Sequence, residues 1–100
     1  MKKAGLFLIF AATLAFAGEW TGHISETSCG AKHADGSASS VSCVTSCIKR
    51  GAKPVLVVDG KVVGIANADK VTAGLYGKKV KITGELAGES LTIATIEAAE

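Results

Sequence analysis

Five short segments of this chain alternate between apolar and polar residues, and turn-forming residues separate several of them. They cover residues 20–26, 54–58, 61–66, 78–86 and 90–97. Asp59-Gly60 lies between the second and third segments. This dipeptide between two β-branched runs predicts a hairpin, because both residues tolerate a positive φ. The pattern therefore predicts five β-strands.

The N-terminal residues have the features of an export signal. Lys2 and Lys3 precede an uncharged, mostly apolar stretch over residues 4–16, and Ala15-Phe16-Ala17 fits the small-x-small cleavage rule. We therefore predict a signal peptide over residues 1–17 and a mature domain over residues 18–100. The expected destination is a bacterial periplasm or the outside medium, where disulfides persist.

Five strands in a mature chain this short favour a closed barrel, because closure removes exposed strand edges. Removal of 17 residues from the 100-residue chain leaves 83. Residues 67–77 connect the third and fourth strands, where an OB-fold carries its helix. A helix is also predicted over residues 40–50, capped by Ser39 or Ser40 and stopped by Gly51. The expected fold is mainly β: a small five-stranded OB-like barrel with one short helix inserted between strands 1 and 2.

Four residues with metal-ligating or redox chemistry crowd the segment between the first two strands. They are Cys29, His33, Cys43 and Cys47, spaced Cys-x3-His-x9-Cys-x3-Cys. Cys43 and Cys47 fall one turn apart on the predicted helix, where Cβ atoms are about 5–6 Å apart. A disulfide needs about 3.8 Å, so a direct bond between these two would strain the helix. Two thiolates at that spacing suit a single metal ion instead.

Two arrangements of the cysteines are open from the sequence. In the first, Cys29, His33, Cys43 and Cys47 form a closed four-ligand site for zinc or copper. In the second, Cys29 forms a disulfide with Cys43 or Cys47, and the remaining thiol stays free. That thiol is either inert or able to exchange with the disulfide.

The order and spacing of several motifs resemble a family of small exported bacterial proteins with no assigned activity. The motifs are the signal peptide, Trp20-Thr21-Gly22-His23-Ile24, Cys29-Gly30, Cys43-x3-Cys47 with Gly51, and residues 77–84. In that family the three cysteines recur, and a histidine at the position of His33 is less regular. The resemblance implies a compact β-rich domain and no particular reaction.

Charge and composition exclude several classes of function for this protein. Removal of Lys2 and Lys3 leaves nine basic residues against nine acidic ones, so we expect no nucleic-acid partner and no membrane partner after cleavage. No phosphate loop, nucleophile elbow or catalytic carboxylate pair is present. We therefore expect a non-enzymatic protein that binds a metal ion or an unknown small ligand. The alternative is a structural or interaction module stapled by one disulfide, or a weak thiol–disulfide exchanger.

Overall fold

A computed structural model of the chain describes residues 15–99, apart from the side chains of Ala15 and His33. The strands are β1 (Ala15–Glu26), β2 (Pro54–Val58), β3 (Lys61–Ile65), β4 (Lys79–Ala87) and β5 (Ser90–Ala98). One α-helix, α1 (Ala38–Lys49), lies between β1 and β2. Three short 3-10 turns occupy Gly30–His33, Ala68–Lys70 and Ala73–Leu75. All predicted strands and the predicted helix are present, and β1 begins five residues earlier than predicted.

The strands form a closed barrel in the order β1-β2-β3-β5-β4. Neighbouring strands are antiparallel except β3 and β5, which pair in parallel and close the barrel. The prediction of a small OB-like barrel with the cysteine-bearing helix between strands 1 and 2 is confirmed. Asp59 and Gly60 take φ values of 49° and 80° between β2 and β3, as a tight hairpin of this type requires.

The ladder between β3 and β5 that closes the barrel is short, and the side chain of Asn67 extends it. Only Gly64 with Ser90 and Ile65 with Leu91 are paired in this ladder. Just beyond it, the side-chain amide of Asn67 donates to the Ile93 carbonyl at 2.9 Å, and its carbonyl accepts from the Ile93 amide at 2.8 Å. Asn67 thus mimics the backbone of one more paired residue.

Aliphatic side chains from four strands and from the connector before β4 form the buried core, and Val63 and Ile65 of β3 pack against it half-buried. The buried cluster comprises Ile24, Leu56, Val71, Val80, Ile82, Leu91 and Ile93. The alternation in β4 is as predicted, since Val80 and Ile82 are buried while Lys79 and Lys81 are exposed. Burial of this apolar surface is the main term that stabilises the fold.

The alternation in β5 changes phase partway along the strand. Thr83 of β4 pairs with Thr95, but the next residue, Gly84, pairs with Ile93, so Ala94 is an extra residue in β5. A bulge of this kind moves every later side chain to the other face. Ile96 therefore packs against the core, whereas strict alternation from Leu91 would place it outside.

The first strand runs through the predicted cleavage point. Ala17 pairs with Glu85 and Gly18 with Gly84, and a chain that begins at Gly18 keeps the β4 pairs from there to His23. Residues 1–14 of the predicted signal peptide lie outside the described residues, and cleavage stays a prediction. None of the helices in the described part of the chain is long and apolar enough to cross a membrane.

Candidate functional site

The helix that carries two of the cysteines begins earlier than predicted. Ser37, rather than Ser39 or Ser40, is its N-cap, and the Ser37 hydroxyl accepts from the Ser40 amide at 3.2 Å. Asp35 reinforces this start by accepting from the Ser40 hydroxyl at 2.6 Å and from the Ser37 amide at 2.9 Å. These bonds hold the pKa of Asp35 well below its usual range. The helix start is therefore fixed by a polar cluster.

The far end of α1 stops immediately after the second helical cysteine. The carbonyl of Cys47 accepts from the amides of Arg50 and Ala52 at 3.1 and 3.0 Å. Gly51 takes a φ of 112°, which ends the helix as predicted. Val44 is fully buried, and Val41 and Ile48 are half-buried on the same stripe. The packing of this stripe holds Cys43 and Cys47 at a fixed position beside the barrel.

The loop that carries Cys29 is anchored by the end of β1. The Ser25 hydroxyl donates to the Gly30 carbonyl at 2.5 Å. The Glu26 carboxylate accepts from the Ser28 amide at 2.5 Å and from the Cys29 amide at 3.2 and 3.3 Å. Ser25 and Glu26 are both fully buried. Alternation along β1 would place Ser25 on the outer face opposite Ile24, but the following turn covers it, so it is buried.

Glu26 is the residue that the sequence reasoning missed. It belongs to the inward-facing period of Trp20, Gly22 and Ile24, and continuation of that period to position 26 would have placed a carboxylate inside the protein. Glu26 is the last residue of the predicted strand, and the prediction assigned it to neither face. The buried carboxylate lies beside the first of the cysteines, because it accepts from the Cys29 amide.

The surroundings of Cys29 and Cys47 make both thiols weaker acids than usual. Hydrogen bonding to Glu26, burial and the negative charge of Glu26 raise the pKa of the Cys29 thiol to about 11, and Cys43 and Cys47 add to the shift. Burial raises the pKa of Cys47, as do the charge of Glu26 and a hydrogen bond with Cys43. The turn after Cys29 contacts α1, so Cys29 lies on an element that neighbours the helical pair. Which of the two sequence-based arrangements the cysteines adopt stays a prediction.

The thiols are free and half-buried. Within the described side chains, no group of three or more His, Cys, Asp and Glu residues is already arranged to hold a metal ion. Ligation would therefore require the cysteine side chains to turn toward a common point. His33 lies at the end of the 3-10 turn that follows Cys29, but its side chain is outside the described part, so its role as a ligand stays a prediction.

A polar cleft lies on the other side of the same turn. It has a volume of about 530 Å³ and is lined by Ala31 and Ala34 from the loop, together with His23, Val57 and Lys79. His23 is half-buried there rather than free on the surface. None of the cysteines lines this cleft, which lies between the cysteine loop and the outer face of the barrel.

The raised pKa of Cys29 leads to a prediction for alkylation. At pH 8 a thiol with a pKa near 11 has about 100-fold less thiolate than one at 9.0, and the thiolate is the reactive form. We expect iodoacetamide to modify Cys29 about 100-fold more slowly in the native reduced protein than in urea. The native rate should rise tenfold per pH unit up to about 11. Peptide mass spectrometry at timed quenches measures both rates, and equal rates in both states would contradict the environment described for Cys29.

No protein-family model, curated protein or solved structure shows a significant match to the chain.

Proposed function

We propose that this chain is a small exported protein, not an enzyme, that binds one soft metal ion, zinc or copper, through Cys29, Cys43 and Cys47. The sequence-based choice for a fourth ligand is His33. The proposal includes cleavage after Ala17, a periplasmic or secreted location, and membership of the exported three-cysteine family. The observation that carries it is that three free, half-buried thiols lie on two elements that contact each other, the turn after β1 and α1.

The charge of the site supports a cation as the occupant. Without one, ionised thiols would place several negative charges in a half-buried space, which is strongly unfavourable. A bound metal ion compensates that charge and turns mutual repulsion into ligation. Ligands from the protein alone leave no open position for water or substrate, so such a site is structural or storage-like rather than hydrolytic.

A disulfide staple is the second candidate, and one observation favours it. The turn that follows Cys29 contacts the helix that carries Cys43 and Cys47, which favours one of these two as its partner. The bond would close a loop of about 15–19 residues and stabilise the domain by roughly 3 kcal/mol. Thiol–disulfide exchange is less well supported, because the raised pKa values of Cys29 and Cys47 disfavour the attacking thiolate.

Native mass spectrometry with a thiol count separates the two candidates. Protein recovered from the periplasm and kept under argon is expected to carry one zinc or copper ion per chain and, after metal removal and denaturation without reductant, three titratable thiols. One titratable thiol per chain, with Cys29 in a cross-linked peptide, would show the staple and contradict the metal proposal. The same mass reports whether the chain begins at Gly18.

A further inference from the structure

The turn that follows Cys29 covers part of the outer face of the barrel. His23 of β1 is paired with Val57 of β2 and with Lys79 of β4, and directly paired residues project on the same side of a sheet. Because the next residue, Ile24, faces the core, these three lie on the outer face. Val57 is nevertheless only 3% exposed, since the 3-10 turn Gly30–His33 contacts β1 and β2.

Small residues leave the polar cleft open beneath this turn. Ala31 and Ala34 line the cleft from the loop, and Gly22 and Gly60 line it from the barrel. None of these four has a side chain long enough to fill the space. The volume of about 530 Å³ is within the range of sites that bind small molecules. The cleft is therefore large enough for a ligand of that size.

Opposite charges lie on the two sides of the cleft. Lys79 is on β4 and Asp59 follows β2, and β1 runs between these two strands. Their backbones are therefore about two strand spacings apart, roughly 10 Å. Both residues are exposed and line the cleft, and neither takes part in the ion pairs found among the described residues. The ammonium and the carboxylate are thus both available to a ligand that carries the complementary charges.

The imidazole of His23 adds a donor next to Lys79. The two residues are direct cross-strand neighbours, with Cβ atoms about 4.5–5.5 Å apart. A Cβ at Gly36 would lie 3.5 Å from the His23 Nε2 atom, so the lack of a side chain at this position leaves that edge of the ring open. An imidazole offers at least one N–H donor in either protonation state. His23 and Lys79 can therefore bind one carboxylate together.

We propose that this cleft binds a small zwitterion of dipeptide length, with its carboxylate at Lys79 and His23 and its ammonium group at Asp59. An extended chain advances about 3.3–3.6 Å per residue, so the charged ends of a dipeptide are about 6 Å apart. The flexible Lys79 side chain covers the remaining distance. The inference is independent of the metal proposal, because none of the cysteines lines the cleft.

The chemistry of the cleft disfavours other classes of ligand. None of the described residues that line it is Phe, Tyr or Trp, so nucleic-acid bases have no surface on which to stack. One ammonium against one carboxylate gives no net positive charge to attract a polyanion. A simple anion would bind at Lys79 and leave the charge of Asp59 uncompensated. A zwitterion satisfies both charges at once.

NMR titration of the reduced full-length protein with L-alanyl-L-alanine tests the proposal. We expect a Kd of about 1 mM or tighter, with the largest amide shifts at Gly22, His23 and Gly60. The N-acetylated dipeptide lacks the ammonium group, and the dipeptide amide lacks the carboxylate. Each should bind about tenfold more weakly, as expected for loss of one hydrogen bond to a charged group. L-Alanine, which is too short to reach both ends, should also bind more weakly.

Two charge-removing variants with matched controls assign the ends of the ligand. Asp59→Asn and Lys79→Gln should each weaken binding of L-alanyl-L-alanine about tenfold. Asparagine tolerates the positive φ of 49° at position 59 and therefore preserves the hairpin. Asp69→Asn and Lys81→Gln remove exposed charges outside the cleft, the latter from the same face of β4. These controls should change the affinity less than about twofold.

Combination of the variants with the blocked dipeptides gives the decisive result. Asp59→Asn should not further weaken binding of the N-acetylated dipeptide, and Lys79→Gln should not further weaken binding of the amide, because each partner charge is already absent. A further tenfold loss in these combinations would show that the charges do not contact the ligand as assigned, and would overturn the proposal.

Three other results would also overturn it. They are equal affinity for the free and N-acetylated dipeptides, equal affinity for L-alanine and the dipeptide, and absence of shifts at the cleft residues up to about 10 mM ligand. Each concerns the cleft alone. The metal content and thiol count of the same protein test the proposed function separately.

Discussion

Saturating Zn(II) is expected to raise the Tm of the reduced protein by about 10–20 °C. A ligand that binds only the folded state at 100 times its Kd stabilises it by about 2.7 kcal/mol. For a domain of this size, 1 kcal/mol corresponds to roughly 4–8 °C. Thermal unfolding followed by circular dichroism, with and without metal and under argon, measures the gain. Cu(I) should also raise the Tm, since the thiolates alone bind it.

Variants of the helical cysteines are the matched controls for this gain. Cys43→Ser and Cys47→Ser should abolish it, because one turn of α1 holds their sulfurs side by side. Ser42→Ala changes an exposed residue of the same helix and should leave the gain unchanged. His33→Ala should only weaken it. If reduced protein shows no metal-dependent shift at neutral pH, the cysteines serve a covalent or redox purpose instead.

The metal-dependent gain should shrink as the pH falls. Each cysteine must lose its proton to bind, so protons compete with the ion at all three thiols. The raised pKa values of Cys29 and Cys47 strengthen that competition in the metal-free protein. The stabilisation by metal is therefore larger at pH 8 than at pH 6. A gain that is constant over this range would indicate ligands other than thiols.

Replacement of Gly77 by alanine is expected to destabilise the domain by roughly 2–4 kcal/mol, through overpacking and a disfavoured backbone conformation. Gly77 is buried, has a φ of 77°, and donates its amide to the Ile24 carbonyl at 3.0 Å. A Cβ there would lie 2.5 Å from the Cα of Val41 in α1. Alanine would therefore push the cysteine-bearing helix away from the barrel. Urea unfolding of the metal-free protein measures the loss.

Gly74→Ala provides the control for this substitution. Gly74 lies in the same connector, but a Cβ there meets nothing within 4 Å, so the change should stay within about 0.5 kcal/mol. Gly77→Ala should also reduce metal affinity, because it shifts Cys43 and Cys47 relative to Cys29. If the two alanine variants unfold at the same urea concentration, the close contact between Gly77 and α1 is not a constraint on the fold.

The local features of this fold could be read from the sequence because short-range chemistry specifies them. Alternation identified all five strands, and Asp59-Gly60 specified the hairpin through its positive φ angles. Gly51 marked the end of the helix. The start of the helix was misplaced by a few residues, because several serines near Ser37 can each act as a cap and the contribution of Asp35 depends on the loop conformation.

The longer-range features of the barrel could be predicted only in part from the sequence. The number of strands in so short a chain favoured closure, and the closed barrel is present. The bulge at Ala94 was not visible, since one extra residue in β5 is decided by its pairing with β4. The use of the Asn67 side chain to extend the parallel ladder depends likewise on where Ile93 comes to lie.

The sequence by itself determined the reactive groups of this protein: three cysteines on one insertion, two of them a helical turn apart. The tertiary structure decided their environment. Only the packing of α1 and the Cys29 loop against the end of β1 encloses Glu26 beside the Cys29 amide. The physical reason is that residue type and spacing are local properties. Burial and the electrostatic field at a thiol are sums over groups that meet only when the chain has folded.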